Sequence, residues 1–210
     1  MQCFRHGESA ANAGHTRDDP ASIPLTDVGR QQAQAIADRF DIAPDRLISS
    51  PFLRAQQTAA PTRSRFRGIE FGLWPIYEFT YLSPARCAGT SVTQRRPWAQ
   101  AYWDDADPQR VDGAGAESFA TFIERVSATK TRLEQLEIAG LRSIALFGHG
   151  QFFQAFRWLV RTPRWSADTQ AMRMFRELDV ATPIANGSGF ECAFDGRIWT
   201  TTNDRRSQLE

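Results

Sequence analysis

Phe4-Arg5-His6-Gly7-Glu8-Ser9 is the stretch that decides the fold, because a very short apolar run stops there at an arginine, a histidine and a glycine. A second such place lies far downstream, where the apolar run 143–147 ends at Gly148-His149-Gly150 and a helix-like pattern follows. Both runs predict strands. Open α/β sheets bind ligands at the carboxyl ends of parallel strands, and the helix N-termini that follow offer free N–H groups suited to phosphate. We therefore predict that His6 and His149 meet at one phosphate site.

Composition limits the classes of function that remain open. The chain has 210 residues, which suits a single domain over 1–210, and its 41% hydrophobic and 23% charged residues are ordinary for a soluble globular protein. A formal net charge of +1 provides no global field for recruiting nucleic acid or an anionic membrane. We expect a small-molecule partner rather than either of these.

Cysteine usage and the first residues indicate the compartment. Cys3, Cys87 and Cys192 are odd in number and far apart, which argues against a disulfide framework and favours a reducing compartment. No cluster has metal-ligand spacing, so we expect neither a metal nor another cofactor. The sequence starts without a charged segment followed by a long apolar stretch, and it has no run of about 18 apolar residues. We expect a cytoplasmic protein.

The first half of the chain alternates strand and helix patterns, which predicts an α/β fold. Thr26 can cap a helix whose apolar positions follow helical spacing: Ala33, Ile36, Ala37 and Phe40. Leu47-Ile48 is a short strand candidate, and Ser50-Pro51 after it resembles an N-cap and first helical residue. Arg54 should then lie in or just after the first helical turn, near the end of a strand.

A third strand pattern leads into an insertion. Ile69, Phe71 and Leu73 alternate, and Pro75 breaks the pattern before Glu78. The irregular segment at about 79–116, rich in proline and glycine, predicts a loop-rich cap insertion. An insertion of this length is usually functional, such as a lid. The alternative is a surface embellishment that buries a few aromatic side chains.

The second half of the chain returns to regular patterns. An amphipathic helix is predicted from Phe119 to Leu136, and an apolar, largely buried helix from Gln151 to Val160. Near the C-terminus, alternating residues on either side of Asp195-Gly196 predict an antiparallel hairpin with a two-residue turn.

The residues at the predicted strand ends match the needs of phosphoryl transfer, which are a nucleophile, cations and an acid. Neutral imidazole at His6 can attack phosphorus and form a covalent intermediate. Arg5 and Arg54 offer planar, permanently charged forks that fit phosphate oxygens. His149 adds a donor if a bound dianion keeps it protonated, and Asn12 can donate without adding charge.

A carboxylate must protonate the departing alcohol. Glu78 is the best-placed candidate if burial or the nearby phosphoryl group raises its pKa, and its rivals are Glu8, Asp18 and Asp19. Each site residue taken singly also has a structural interpretation, such as a turn histidine or a solvated surface charge. We assign His15 to that structural class, because its surroundings do not repeat the strand-end context.

The motifs, taken in order, resemble the successive signatures of the histidine phosphatase superfamily, also called phosphoglycerate mutase-like. They are Arg5-His6-Gly7-Glu8-Ser9 with Asn12, Leu25-Thr26 with Gly29, Ser49-Ser50-Pro51 with Arg54-Ala55 and Thr58, and Gly148-His149-Gly150. The resemblance covers residues 1 to about 160. It implies a three-layer α/β/α sandwich with a mixed, mostly parallel sheet.

The same resemblance implies roles for individual residues. His6 would carry a phosphohistidine, and Arg5, Arg54 and His149 would form the phosphate pocket without a metal. Glu78 is favoured as proton donor, because the acid of that family commonly follows the third strand. Asn12 and backbone groups around Gly150 and Gln151 would line the pocket.

Departures from the mutase pattern favour a phosphatase within this family. Glu78-Phe79-Thr80-Tyr81-Leu82 differs from the ERHYG-like continuation of cofactor-dependent mutases, and the stretch 10–25 has no tryptophan. The expected activity is a phosphoric monoester hydrolase acting on a small phosphorylated metabolite. A phosphoglycerate-type mutase and a non-catalytic module that binds phosphate or a phosphoprotein are the alternatives.

The cap offers candidate specificity residues. If Arg95 and Arg96 face the cleft, they and Arg86 would select an anionic substrate, although paired surface arginines are often only solvated charge. An apolar or stacking wall could come from the cap aromatics Tyr81, Trp98, Tyr102 and Trp103.

Overall fold

A computed structural model describes residues 1–15, 19–162 and 166–201. These residues form one six-stranded sheet with strand order β3-β2-β4-β1-β5-β6. The strands are β1 (Gln2–Arg5), β2 (Arg46–Ser49), β3 (Glu70–Leu73), β4 (Ile144–Gly148), β5 (Gly189–Phe194) and β6 (Trp199–Thr201). Strands β1 to β4 run parallel, β5 runs antiparallel to β1, and β6 runs antiparallel to β5, so the sheet is mixed and mostly parallel as predicted.

The strand register brings the sequence motifs side by side. Arg5 of β1 lies opposite Gly148 of β4, and Ser49 of β2 lies opposite Phe147. The backbone N–H of His6 donates to the Gly148 carbonyl over 2.9 Å, and the N–H of Ser50 donates to the Phe147 carbonyl over 2.9 Å. The chain therefore leaves all three central strands at the same edge of the sheet.

Helices cover both faces of the sheet, and the seven within the described residues have the following bounds. They are α1 (Asp27–Asp38), α2 (Leu53–Arg65), α3 (Pro84–Cys87), α4 (Val92–Asp105), α5 (Phe119–Ile138), α6 (Gly150–Arg161) and α7 (Thr169–Ala181). The Thr26 side chain accepts a hydrogen bond from the Gly29 N–H and caps α1, as the sequence predicts.

The alternation of β4 side chains shows why the fold has three layers. Ile144 and Leu146 belong to the larger core cluster, which includes side chains of α5 and α6, whereas Ala145 and Phe147 belong to a second cluster with side chains of α1 and α2. All five β4 residues are buried. A strand covered on both faces reads as a continuous apolar run, and this explains the pattern seen in the sequence.

The start of α2 differs from the prediction. The helix begins at Leu53 with Phe52 as its N-cap residue, so Ser50 and Pro51 lie outside it. The Ser50 hydroxyl instead accepts from the Phe52 N–H and faces His149. Arg54 nevertheless lies in the first turn of α2, as expected.

The cap between β3 and α5 keeps long irregular stretches but also contains α3 and α4. A capping box formed by Ser91 and Gln94 starts α4, and Ala106 ends it in the left-handed conformation at φ 48°. Pro97 lies inside α4 and removes one helical donor. The sequence did not predict this helix, because it contains a proline and its aromatic residues are scattered.

The C-terminal region contains one predicted and one unpredicted element. The antiparallel hairpin of β5 and β6 is confirmed, although a four-residue connection, 195–198, replaces the predicted two-residue turn. Helix α7, capped by Asp168, was not predicted. In the part of the chain that the structure describes, no helix has the length and apolar character needed to cross a membrane.

Candidate active site

His6 follows β1 and is held in one orientation by its neighbours. Its Nδ1 lies 2.7 Å from the Gly7 carbonyl oxygen, an obligate acceptor, so Nδ1 carries the proton and donates. The side chain is only 3% exposed. The unprotonated Nε2 therefore presents its lone pair on the opposite side of the ring, which is the arrangement that a nucleophilic imidazole needs.

Arg54 connects the two histidines. Its Nε donates to His6 Nε2 over 3.1 Å, and its Nη2 lies 3.1 Å from His149 Nδ1. A third donor, Nη1, reaches the Pro20 carbonyl at 2.7 Å. The two imidazole rings lie 5.0 Å apart between centroids, so residues 6, 54 and 149 form one cluster.

His149 acts as an acceptor in this structure. Arginine has no lone pair to offer, so His149 Nδ1 accepts from Arg54, and Nε2–H donates to the Ser50 hydroxyl over 2.9 Å. Burial, followed by the charge of Arg54, holds the pKa of His149 well below its ordinary value. The protonated His149 expected from the sequence is thus disfavoured here and would require a bound dianion to raise its pKa.

The same physical causes act on the other two members of the cluster. Burial, followed by the charge of Arg54, lowers the pKa of His6 to about 3. Burial also lowers the pKa of Arg54 to about 10, although the charge of Glu78 opposes this shift. Near neutral pH the cluster consists of two neutral imidazoles beside one guanidinium cation.

Arg5 approaches the cluster from β1. Its Nη1 donates to the Ile184 carbonyl over 2.5 Å, and its Nε is buried without a hydrogen-bond partner among the described residues. A Cβ added at Gly150 would lie 3.3 Å from Arg5 Nε. Gly150 therefore allows the guanidinium to lie close against the N-terminal turn of α6, where the helix dipole and cationic charge both favour an anion.

Glu78 lies beside this turn. Its Oε1 accepts a hydrogen bond from the backbone N–H of Gln151 over 2.9 Å. Burial raises the pKa of Glu78, while the charges of Arg5 and Arg54 oppose the shift and the charge of Asp179 adds to it. A carboxyl group that keeps its proton to higher pH than usual is suited to general acid catalysis.

Asn12 lies on the loop after β1, with its amide oriented by its partners. Its Oδ1 accepts from the N–H and hydroxyl of Ser9, at 3.1 and 2.8 Å, and from Asn186 Nδ2 at 3.2 Å. Because Oδ1 already accepts these hydrogen bonds, the Nδ2 amide N–H groups of Asn12 are the donors it offers to a ligand.

The rival acids have other partners or lie outside the described residues. Glu8 Oε1 accepts from the Thr26 hydroxyl over 2.7 Å, and Asp19 caps a short helical turn by accepting from the Ala21 N–H. Asp18 is not among the described residues. His15 is exposed on the loop after β1, in keeping with the structural assignment.

The family follows from a sequence comparison over most of the chain. A sequence model of the histidine phosphatase superfamily (branch 1) matches residues 3–172, a span that contains His6, Arg54 and His149. The chain belongs to the histidine phosphatase superfamily. No curated relative matches the sequence.

Solved structures of other proteins share the fold. The α-ribazole phosphatase from Shigella flexneri has a TM-score of 0.73 at 21% identity, with 98% of this chain and 95% of that chain covered. The phosphoserine phosphatase from Entamoeba histolytica, in complex with 3-phosphoglyceric acid, has a TM-score of 0.73 at 19% identity, with 99% and 96% covered. A mycobacterial glucosyl-3-phosphoglycerate phosphatase in complex with VO3 has a TM-score of 0.72 at 19% identity, with 96% of each chain covered.

The structural likeness to these proteins shows the fold. Membership of the family supports a phosphatase as the general functional class. In the described part of this histidine phosphatase superfamily member, no group of three or more histidine, cysteine or acidic side chains is arranged to hold a metal ion.

A cavity of about 570 Å³ lies beside Arg54, beneath the cap. Arg54 and Glu78 line it from the sheet edge, and Arg95 and Arg96 line it from α4. The structure thus brings the two cap arginines to the same cavity as Arg54 and Glu78.

The other cap residues named from the sequence do not line this cavity, with the exception of Tyr81. Tyr102 and Trp103 are buried in the core, and Trp98 packs against it. Arg86 forms an ion pair with Asp112 at 2.7 Å and lies over the Trp98 ring. The structure therefore places these four side chains away from the cavity, because core packing uses the aromatic rings and Asp112 pairs with Arg86.

Sequence reasoning missed several residues that hold the site. Thr58 accepts from the Gly7 N–H over 3.0 Å, and Asn186 donates to the His6 carbonyl over 3.0 Å. Asp179 of α7 accepts from the Gln151 side chain over 2.9 Å. Ser50 and Thr58 lay within quoted motifs and could have been found there, whereas Asp179 and Asn186 reach the site from a segment that carries no recognised motif.

Proposed function

We propose that this protein is a metal-independent phosphomonoesterase that hydrolyses a small phosphorylated metabolite through a phosphohistidine on His6. The observation that carries the proposal is the Arg54 guanidinium, which reaches His6 Nε2 and His149 Nδ1 at 3.1 Å each. A phosphoryl group beside this guanidinium would lie next to the lone pair that must attack it.

The first step transfers the phosphoryl group to the enzyme. The Arg54 Nε–H turns from His6 Nε2 to a phosphate oxygen, which frees the Nε2 lone pair. His6 Nε2 attacks phosphorus, the bond to the ester oxygen breaks, and the departing oxygen takes a proton from the Glu78 carboxyl group. Arg5 and Arg54 stabilise the negative charge on the equatorial oxygens, together with Asn12 and the α6 N-terminus. The Nδ1–H bond to the Gly7 carbonyl stabilises the positive charge that develops on the ring.

The second step releases phosphate. Glu78, now a carboxylate, removes a proton from a water molecule that attacks the phosphohistidine, and His6 leaves as neutral imidazole. Phosphate and the alcohol are the products, so the enzyme returns to its starting protonation state.

The experiment that tests this proposal compares two histidine variants with p-nitrophenyl phosphate in the presence of a chelator. We expect His6→Ala to abolish turnover, and the exposed loop variant His15→Ala to keep it. Retained turnover in His6→Ala would refute the nucleophile assignment, and loss of wild-type turnover on chelation would refute metal independence.

A phosphoglycerate-type mutase is the second candidate, and the position of Arg95 and Arg96 in the cavity favours it. A mutase would move phosphate between two positions of one metabolite. Incubation with 3-phosphoglycerate distinguishes the two activities, because a phosphatase releases inorganic phosphate and a mutase yields the isomeric ester.

A further inference from the structure

The chemistry of the cap cavity indicates a substrate class, and this inference rests on the proposed phosphatase function. The lining includes three arginines and one glutamate, namely Arg54, Arg95, Arg96 and Glu78. Neither Arg95 nor Arg96 forms an ion pair with a carboxylate in the described part of the chain. The cavity therefore carries net positive charge beyond what the phosphate site alone provides.

Arg95 is oriented by its own helix turn. Its Nε donates to the Ser91 carbonyl, the N-cap residue of α4, over 3.3 Å. This bond fixes the stem of the side chain and keeps both Nη groups for another partner. Arg96 follows directly and is exposed. A fixed guanidinium fork is suited to a carboxylate or a second phosphate.

Most of the remaining lining is apolar. The cavity wall includes Ile23, Phe52, Phe79, Leu82, Val92 and Ala99. Its volume of about 570 Å³ is in the usual range for pockets that enclose a drug-sized ligand. A three-carbon acid would leave most of this wall uncovered and gain little from its apolar surface.

We propose that the substrate is a phosphomonoester with a bulky, largely apolar alcohol part that carries an anionic group. In this arrangement the phosphate lies at Arg54, the apolar body fills the cavity, and the anionic group contacts Arg95 and Arg96. The two cap arginines are specificity residues that act on the part of the substrate that leaves.

The test uses two esters of equal shape and different charge, 3-carboxyphenyl phosphate and 3-carbamoylphenyl phosphate. We expect the wild-type kcat/KM to favour the carboxylate by about tenfold, mainly through KM. In His6→Ala, where no ester bond is broken, phosphoserine, which is small and anionic, should bind with a higher Kd than 3-carboxyphenyl phosphate. The double variant Arg95→Ala/Arg96→Ala should lose the preference, whereas Arg63→Ala, which removes an exposed charge on α2, should keep it.

The results separate this inference from the proposed function. Turnover of both esters at equal kcat/KM would overturn the inference, and so would a preference for the carboxylate ester that persists in the double variant. Either result would still be consistent with the proposed phosphatase activity. Absence of all wild-type turnover would refute the phosphatase. Calorimetric titration of both esters into His6→Ala then tests the subsite alone, because equal Kd values for the two esters would overturn it without reference to catalysis.

A second, independent observation concerns how Glu78 is held. The ten residues 74–83 that connect β3 to α3 include Glu78 and form neither helix nor strand. Arg125 of α5 donates through Nη1 to the carbonyls of Pro75 at 2.8 Å and Tyr77 at 2.9 Å, and its guanidinium lies 3.9 Å from the Tyr77 ring centroid. One arginine thus fixes the segment just before Glu78.

Glu117 holds the segment just after Glu78. Its backbone N–H donates to the Thr80 carbonyl over 2.9 Å, and its Oε1 accepts from the Thr80 N–H over 3.2 Å. The same carboxylate forms a bidentate pair with Arg125, at 2.5 and 3.1 Å. The side chains of Arg125 and Glu117 are only 9% and 12% exposed, so solvent screens this pair little.

The structure assigns Arg125 and Glu117 as positioning residues for Glu78. Glu117→Gln keeps the shape and weakens the pair, and Arg125→Lys keeps the charge but cannot bridge all the acceptors. We expect kcat/KM for a poor leaving group, such as a primary alkyl phosphate, to fall about tenfold in either variant. With p-nitrophenyl phosphate kcat/KM should change less than about threefold, because it excludes the later hydrolysis of the phosphohistidine.

A role limited to folding would produce a different pattern. Misfolding reduces the active fraction and lowers both rates in proportion, and equal losses on the two esters, or no loss on either, would overturn the assignment. Lys130→Met, which removes an ion pair with Glu134 on the same helix, is the control and should not change the ratio of the two rates.

Discussion

Glu78→Gln should slow esters with poor leaving groups far more than esters with good ones. Gln keeps the shape of the side chain and can still accept from the Gln151 N–H, a bond of 2.9 Å in the wild type, so the loop should stay in place. The amide has no proton to give to the departing oxygen. Only an alkoxide of high basicity requires that proton, and p-nitrophenolate does not.

The size of the effect follows from the role assigned to the carboxyl group. General acid catalysis typically contributes about 10²–10⁴ in rate, or about 3–5 kcal/mol of barrier. Burial raises the pKa of Glu78, which keeps its acid form populated to higher pH than usual. Glu78 also serves as the base in phosphohistidine hydrolysis, which is common to all esters, so the acid role is read from kcat/KM, which reports only the steps up to release of the alcohol. We expect kcat/KM for an alkyl phosphate to fall by about 10²–10³, and kcat/KM for p-nitrophenyl phosphate to fall less than about threefold.

The assay is a series of phosphate esters with alcohols of increasing acidity. The dependence of log kcat/KM on leaving-group pKa should be steeper in Glu78→Gln than in the wild type. Because the acid form is needed, the wild-type rate on alkyl esters should also decline as pH rises through the pKa of Glu78, and this decline should vanish in the variant. Equal losses across the series would refute the assignment and direct attention to Glu8.

Three further predictions concern the surroundings of the cluster. Asp179→Asn removes a charge that raises the pKa of Glu78, so the decline of alkyl-ester kcat should move to lower pH; an unchanged profile would contradict this coupling. Arg54→Lys cannot reach both histidines, and kcat/KM should fall by about 10² or more, whereas a loss under about fivefold would argue against the bridge. Gly7→Ala would put a Cβ 2.4 Å from the Gly29 carbonyl oxygen, so calorimetry should show a stability loss of about 1–3 kcal/mol; an unchanged Tm would contradict that contact.

The core of the site could be predicted because its signals are local. His6 and His149 each follow an apolar run directly, and a run of that kind predicts a strand whatever its partners are. The parallel register then brings the two strand ends together, with Arg5 opposite Gly148. Placing Arg54 required only that a helix begin soon after β2.

The cap was less predictable, because some of its side chains pack into the core and others line the cavity within the same short segment. Tyr102 and Trp103 are buried while Arg95 and Arg96 on the same helix line the cavity, and Pro97 interrupts the helical pattern between them. Composition alone does not separate these uses, since an aromatic residue suits both a core and a binding wall.

The C-terminal contributions were missed for a different reason. Asp179 and Asn186 are single polar residues whose partners at the site, Gln151 and Asn12, lie more than 25 positions away in the sequence. Helix α7 had a local signature in its Asp168 cap and the apolar positions Met172 and Phe175, but that signature does not indicate which residue faces the site. Tertiary packing alone makes that choice.

The central claim is that His6 Nε2 carries the phosphoryl group during turnover. Rapid quenching of the enzyme in alkali during turnover of a ³²P-labelled aryl phosphate, followed by peptide mapping at alkaline pH, tests it most directly. We predict a base-stable, acid-labile phosphoryl label on the peptide that contains His6, in the wild type and in His15→Ala. Turnover without that label, or label at any other residue, would contradict the account.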